Sequence, residues 1–116
     1  MMALEDFKAA RSVLAGVLAD THLIHSAALS RVVGNQVYIK PENMQVTGAY
    51  KIRGAYYKIS TLSQEEKERG LITASAGNHA QGVAYAAQAA GVKATVVMPT
   101  TTPLVKVNNT KDYGAQ

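Results

Sequence analysis

The stretch from residue 71 to residue 98 most constrains what this chain can fold into. Leu71 to Ala74 read as a short buried strand, a turn of small residues follows, and a helical run extends from about His79 to Ala90. Gly91 can end that helix in the left-handed conformation, and Ala94 to Met98 form a second apolar strand. Two strands joined by a helix predict a βαβ unit with parallel strands. The expected fold class is therefore α/β.

Further segments with helix or strand character lie on both sides of this unit. The apolar spacing predicts helices over residues 3–20, 50–59, 63–69 and from about 103 to 114, a strand at 37–39, and irregular chain from 21 to 35. Thr47 or Gly48 is expected to cap the second helix, and Gly70 to end the third. Strands and helices alternate along the chain, so a further strand is expected after Gly114. Without it, the parallel sheet would leave backbone groups unpaired at its edge, and we therefore expect these residues to be the amino-terminal piece of a larger enzyme.

Composition excludes several classes of function. The 116 residues suit one domain at most, and the twelve lysines and arginines behind the net charge of +4 are dispersed, so no nucleic-acid site is expected. No apolar run approaches the ~20 residues that cross a bilayer, so no membrane partner is expected. The chain has no cysteine and no paired metal ligands, so we expect no metal site. A cytoplasmic location is the default.

Lys51, in the segment TGAYK at residues 47–51, is the first candidate for chemistry. It falls in the opening turn of a predicted helix, where the peptide dipoles disfavour a positive charge by about 0.3–1 kcal/mol. That field favours the neutral amine, which is the form that attacks a carbonyl to make a Schiff base. The alternative is an ordinary solvated lysine.

The second candidate is the segment SAGNH at residues 75–79, where a parallel strand passes into a helix. Free N–H groups and the helix dipole can bind a carboxylate or phosphate there, and Gly77 lets a ligand approach the main chain. Asn78 has an alternative role as a plain N-cap. His79 has an alternative role as a hydrogen-bonded structural residue. The alanines after Gly82 indicate a helix whose backbone can pack closely on a neighbour.

Three segments, KPENMQ at residues 40–45, TGAYKIRGA at 47–55 and SAGNHAQG at 75–82, together resemble the threonine dehydratase (threonine ammonia-lyase) family. This family belongs to fold type II of the pyridoxal-phosphate enzymes, with serine racemase, cysteine synthase and tryptophan synthase β. The resemblance covers about residues 21–116, which correspond to the first part of a family member. It implies a tryptophan synthase β-like fold without a second complete domain, with residues 1–40 in the large domain and about 41–116 in the small domain.

The resemblance also implies roles for individual residues. Lys51 would hold pyridoxal 5'-phosphate as a Schiff base and move the substrate's α-proton, Tyr50 would lie beside the cofactor, and Asn78 would hydrogen-bond its phenolic oxygen. The turn would receive the substrate's carboxylate on main-chain amides; its residues are Ser75, Ala76, Gly77, Asn78 and His79. The implied reaction is β-elimination of L-threonine, or L-serine, to 2-oxobutanoate, or pyruvate, and ammonia. Relatives are usually dimers or tetramers.

Two positions distinguish this sequence from relatives with other activities. Ala76 stands where eukaryotic serine racemases have a serine that acts as acid or base, and His79 with Ala80 stands where cysteine synthases have Thr-Gly. Serine dehydratase and amino-acid racemase remain alternatives within the fold, and a non-catalytic anion-binding α/β module is the alternative outside it. The family's glycine-rich phosphate loop and pyridine-nitrogen partner would follow Gln116, so we expect the 116 residues alone to bind the cofactor weakly and to be inactive.

Overall fold

A computed structural model describes residues 1–116 as an α/β structure with two small sheets. Its elements are α1 (Leu4–Leu14), β1 (Ile24–His25), α2 (Ala27–Val33), β2 (Tyr38–Ile39), a short 3₁₀ helix (Glu42–Met44), α3 (Lys51–Ser60), α4 (Gln64–Arg69), β3 (Leu71–Ala74), α5 (Asn78–Ala89), β4 (Ala94–Val97) and α6 (Leu104–Asp112). The longest helix, α5, has 12 residues. None of these helices combines the length and the apolar character that crossing a membrane requires.

The βαβ unit is confirmed in both its order and its strand direction. Strands β3 and β4 pair in parallel, from Leu71 opposite Ala94 to Ala74 opposite Val97, and α5 connects them. Gly70 ends α4 with φ +79°, and Gly91 follows α5 with φ +66°. Both glycines therefore adopt a conformation that L-residues with a side chain rarely tolerate, and they fix where each helix stops.

The expectation that residues 71–74 form a buried strand is wrong. Burial alternates along β3, and the side chain of Ile72 is 76% exposed. Val97 on β4 is 53% exposed in the same way. Helix α5 contacts both strands, and the alternation means that only one face of this strand pair is covered.

The end of the chain continues the sheet beside β4. The N–H of Gln116 donates to the carbonyl of Ala94 at 2.9 Å, and the N–H of Val96 donates to the carbonyl of Gln116 at 2.7 Å. A single residue that bonds to positions flanking Thr95 is the pattern of a parallel ladder. Gln116 thus lies where the alternation of elements predicted a further strand.

The prediction of irregular chain from 21 to 35 is wrong for most of that stretch. Strand β1 pairs antiparallel with β2, and α2 lies between them. The hydroxyl of Ser26 accepts a hydrogen bond from the N–H of Leu29, and Gly34 ends α2 at φ +68°. These cap residues are the signal that was missed, because seven residues are too few to show helical periodicity. Helix α1 is also shorter than predicted, since the helix stops at Leu14 before Gly16 at φ +78°.

The core lies between α3 and α5. Ile52, at the start of α3, is 0% exposed. The remaining core residues are mostly alanines of α5 and small apolar residues around it, namely Ala55, Ile59, Val83, Ala84, Ala86, Ala87, Val92, Ala94 and Ala115. Because these side chains are small, the two helices can approach closely, as the composition of α5 predicted.

We expect Ile52→Ala to lower the free energy of unfolding by about 2–5 kcal/mol, because it leaves a cavity between α3 and α5. Ile72→Ala is the matched control: its side chain is 76% exposed, so we expect a loss of no more than about 0.5 kcal/mol. Denaturant unfolding of the two variants measures both values. An equal loss of unfolding free energy in the two variants would contradict a core between α3 and α5.

Candidate functional site

Lys51 is the first residue of α3, as the sequence predicted for the opening turn. The expected cap is wrong: Tyr50 occupies the N-cap position without a side-chain hydrogen bond, and the hydroxyl of Thr47 is buried with no partner. Gly48 instead turns the chain at φ +69°. The first turn has no acidic residue, and the N–H groups of Tyr50, Lys51 and Ile52 donate to no acceptor. This helix start therefore keeps its positive field uncompensated.

The loop before α3 presents the lysine outward. Thr47 and Ala49 are buried and Ile52 is fully buried, whereas Tyr50 is 59% exposed and Lys51 is exposed. The Nζ atom of Lys51 lies 5.5 Å from the centroid of the Tyr50 ring, within the range of a cation–π contact. Buried residues on either side thus fix the backbone of an amine that is itself accessible.

The start of α5 has the same open character. Gly77 is the N-cap and Asn78 the first helical residue, so the alternative role of Asn78 as a plain N-cap is wrong. The N–H of Gly77 donates to the hydroxyl of Ser75 at 3.3 Å, while those of Asn78, His79 and Ala80 have no acceptor. The His79 side chain is exposed and makes no hydrogen bond, so its alternative role as a hydrogen-bonded structural residue is also wrong.

Gly82 brings the two helix starts together. A Cβ on Gly82 would lie 3.2 Å from the nitrogen of Ile52 and 3.3 Å from both Cα of Ile52 and the carbonyl carbon of Lys51. These atoms are backbone, so they cannot move aside as a flexible side chain would. Gly82 is one helical turn after Asn78, so the backbone of Lys51 lies about one turn from the start of α5.

An ion-pair network that joins α3 to residues before it in the chain is the feature that sequence reasoning missed. Arg53 donates from Nε and Nη2 to the two carboxylate oxygens of Glu42, each at 2.8 Å. Thr21, which is buried, donates its hydroxyl to Glu42 at 2.7 Å and its carbonyl accepts from Lys40. Glu42 and Arg53 lie in the KPENMQ and TGAYKIRGA segments, but they belong to different elements, so the periodicity of a single helix or strand could not pair them.

This network sets the charge of its members. The hydrogen bond from Arg53 lowers the pKa of Glu42 from 4.5 to about 2; burial opposes that shift, and the Thr21 hydroxyl and Lys40 add to it. The same hydrogen bond raises the pKa of Arg53. Glu42 and Arg53 therefore stay ionised through the physiological range and tie α3 to the chain before it.

An exposed primary amine and a turn of free N–H groups thus lie on adjoining helix starts beside a parallel strand pair. No group of three or more histidines and carboxylates is placed to hold a metal ion. The amine can add to a carbonyl, and the N–H groups can bind an anion. The site therefore defines an α/β protein suited to an anionic ligand that carries or meets a carbonyl group.

The comparison with protein families names this class. The family model described as pyridoxal-phosphate dependent enzyme matches residues 14–116, and the chain belongs to that family. An L-threonine ammonia-lyase of Thermotoga maritima is 54% identical over 116 residues, which are 100% of this chain and 29% of that protein. A catabolic L-threonine dehydratase of Staphylococcus aureus is 49% identical over 117 residues, which are 100% of this chain and 34% of that protein. The chain thus spans about a third of the length of these relatives.

Solved structures agree on the fold. A serine racemase of Dictyostelium discoideum matches with a TM-score of 0.93 and 36% identity, over 99% of this chain and 38% of that one. A threonine deaminase of Solanum lycopersicum matches with a TM-score of 0.81 and 42% identity, over 99% of this chain and 33% of that one. The fold is that of the fold-type II pyridoxal-phosphate enzymes, as the sequence resemblance implied.

The residues present fit pyridoxal phosphate. The cofactor offers an aldehyde, a phenolic oxygen and a phosphate, and the site offers an accessible primary amine at Lys51 and an exposed side-chain amide at Asn78. The hydroxyl of Thr47 is an orphaned buried polar atom four positions before the lysine. Buried polar atoms without a hydrogen-bond partner are rare in folded proteins, so this hydroxyl calls for a partner that the chain does not supply.

Gly82→Ala is expected to lower the free energy of unfolding by about 1–3 kcal/mol, because the added Cβ meets backbone atoms of α3. Gly54→Ala is its matched control, since nothing lies within 4 Å of a Cβ there and alanine favours a helix by up to about 1 kcal/mol. Thermal unfolding of both variants tests the contact. A Gly82→Ala protein as stable as the parent would refute the close approach of the helices.

The pKa of Glu42 also predicts a pH dependence. A carboxyl whose pKa falls from 4.5 to about 2 on folding contributes stability that is complete above pH 4.5 and is lost as the pH falls toward 2. Glu42→Gln should therefore cost about 1–2 kcal/mol at pH 7, and the difference from the parent should shrink below pH 4.5. Unfolding free energies from pH 2 to 7 measure this, with the exposed Glu65→Gln as the control. A difference that does not change with pH would contradict the assignment.

Proposed function

We propose that this chain forms part of an enzyme that converts L-threonine, and L-serine, to 2-oxobutanoate, or pyruvate, and ammonia. The carrying observation is that Lys51, accessible at an uncapped helix start, is held by Gly82 against the start of α5. Two relatives named as L-threonine ammonia-lyase and L-threonine dehydratase support this substrate class. The activity is proposed for the intact enzyme, because those relatives are about three times longer than the chain.

In this proposal the chain's residues bind the two reactants. Nζ of Lys51 would hold the cofactor until the substrate's amino group displaces it, and the freed amine would then take the proton from the substrate's α-carbon. The protonated lysine could return that proton to the side-chain hydroxyl, which would leave as water. When bound, pyridoxal phosphate draws electron density away from that carbon. Tyr50 flanks the cofactor, and the side chain of Asn78 hydrogen-bonds its phenolic oxygen. Proton removal needs this amine in its neutral form.

The turn receives the substrate carboxylate. Its residues are Ser75, Ala76, Gly77, Asn78 and His79, and the free N–H groups at the start of α5 support this role. The bond from Gly77 to the Ser75 hydroxyl holds the turn in shape before the substrate arrives. Preformed donors bind an anion without first having to reorganise.

A racemase is the second candidate, because the serine racemase of Dictyostelium discoideum has the same fold over 99% of this chain. Racemisation needs a second group that returns a proton to the opposite face of the α-carbon. Ala76, whose methyl group exchanges no proton, stands where the eukaryotic racemases have a serine. This favours elimination. Assaying D-serine beside pyruvate in the intact enzyme separates the two activities.

The remaining proposals concern organisation. We propose that residues 1–40 belong to a large domain and about 41–116 to a small domain, and the separate β1–β2 and β3–β4 sheets support this division. A homo-oligomeric enzyme located in the cytoplasm is part of the same proposal. The 116 residues alone should hold the cofactor weakly and turn over no threonine.

Reduction with borohydride after addition of pyridoxal phosphate tests the role of Lys51. In the intact enzyme we expect one stable adduct, on Lys51, and loss of threonine turnover by at least about 10³-fold in Lys51→Ala, because no other amine takes its place. Peptide mass spectrometry locates the adduct, and 2-oxobutanoate formation measures turnover.

Lys58, exposed on the same helix, is the matched control. Lys58→Ala should keep both the adduct and the activity. Label scattered over the surface lysines would favour the alternative of a non-catalytic anion-binding module, and would remove the enzyme proposal.

A further inference from the structure

Lys106 on α6 lies over the turn at the start of α5, although no sequence motif pointed to it. A Cβ on Gly77 would lie 3.8 Å from Nζ of Lys106, the nearest atom to that position outside the turn itself. The proposed function places a carboxylate against this turn. The ammonium group therefore stands beside the N–H groups assigned to that carboxylate.

Packing of α6 holds this lysine in place. Thr110, one turn further along α6, is 3% exposed, and residues four apart share a helix face. The ring of Tyr113 meets that of Tyr85 on α5 edge to face, with centroids 5.5 Å apart. Lys106 is itself half-buried, so its stem runs along protein while its amine reaches the turn.

The charge of Lys106 has no partner within the chain. The ion pairs of the structure are Lys8 with Glu5, His22 with Asp20, and Arg53 with Glu42, and Nζ of Lys106 makes no hydrogen bond. Its position in the first turn of α6 also sets it against the dipole of its own helix. A half-buried cation without a counter-ion, beside three free N–H groups, makes this part of the surface electropositive.

We propose that Lys106 binds the carboxylate of the amino-acid substrate, as a charged donor beside the main-chain N–H groups of the turn. This inference rests on the proposed function for the turn and adds a residue to it. A charge-assisted hydrogen bond of this kind is stronger than a neutral one, so it should carry a large share of the affinity for the carboxylate. The lysine holds the carboxylate equally before and during the reaction, and so acts on binding rather than on proton transfer.

The test uses the intact enzyme loaded with pyridoxal phosphate. Lys106→Met, which keeps the length of the stem, should raise KM for threonine at least about tenfold while kcat stays within about threefold. Lys106→Arg should restore most of the affinity, and Lys111→Met, on an exposed part of the same helix, should match the parent. An unchanged KM in Lys106→Met would overturn the proposal. So would a loss of cofactor affinity with an unchanged KM, since that result would assign the lysine to the phosphate.

A binding measurement on the parent enzyme does not depend on turnover or on a variant that folds. Isobutyrate, a carboxylate without an amino group, should protect Lys106 but not Lys111 from amine acetylation, as read by peptide mass spectrometry. Protection in an enzyme that turns over no threonine would uphold Lys106 and refute the proposed reaction. Threonine turnover without protection of Lys106 would uphold the proposed reaction and refute the role of Lys106.

Discussion

The contact between Gly82 and the backbone of α3 is the constraint on which the rest of the structure depends. No side chain stands between the helices at this point, and a Cβ on residue 82 would lie only 3.2 Å from the nitrogen of Ile52. The same approach buries Ile52 completely and closes the core over the alanines of α5. It also sets the distance between Lys51 and the turn before α5. Stability and the geometry of the site therefore rest on one residue that has no side chain.

The helices that carry the candidate site differ from α2 and α4 in how their first turns are satisfied. Helix α4 has a full capping box between Ser63 and Glu66, and α2 is capped by Ser26. Helices α3, α5 and α6 have no side-chain cap, and these three bring Lys51, the turn and Lys106 together. Open N–H groups cost stability in exchange for donors that a ligand can use. The Glu42–Arg53 network ties α3 to the chain that precedes it.

Much of the fold was predictable because periodicity and glycine positions are local signals. The βαβ unit, the limits of α4 and α5, and the position of Lys51 in the first turn of α3 all follow from residues a few positions apart. The errors are equally local in origin. Alternation and hydrophobicity could not show that one face of β3 is uncovered, and Asn78 has the chemistry of a cap although Gly77 takes that place. The motifs around Lys51 and the turn indicated a pyridoxal-phosphate enzyme, and the family match confirmed it.

The sequence by itself determined the α/β class, the two helix starts that carry the candidate chemistry, and the family, since each is written in contiguous residues. Only the tertiary structure decided which distant residues meet. Glu42 pairs with Arg53 eleven positions away, Gly82 touches Ile52, and Lys106 reaches Gly77, each through packing of separate elements. The physical reason is that spacing along a chain reports the faces of a single helix or strand, whereas contacts between elements depend on how closely those faces pack.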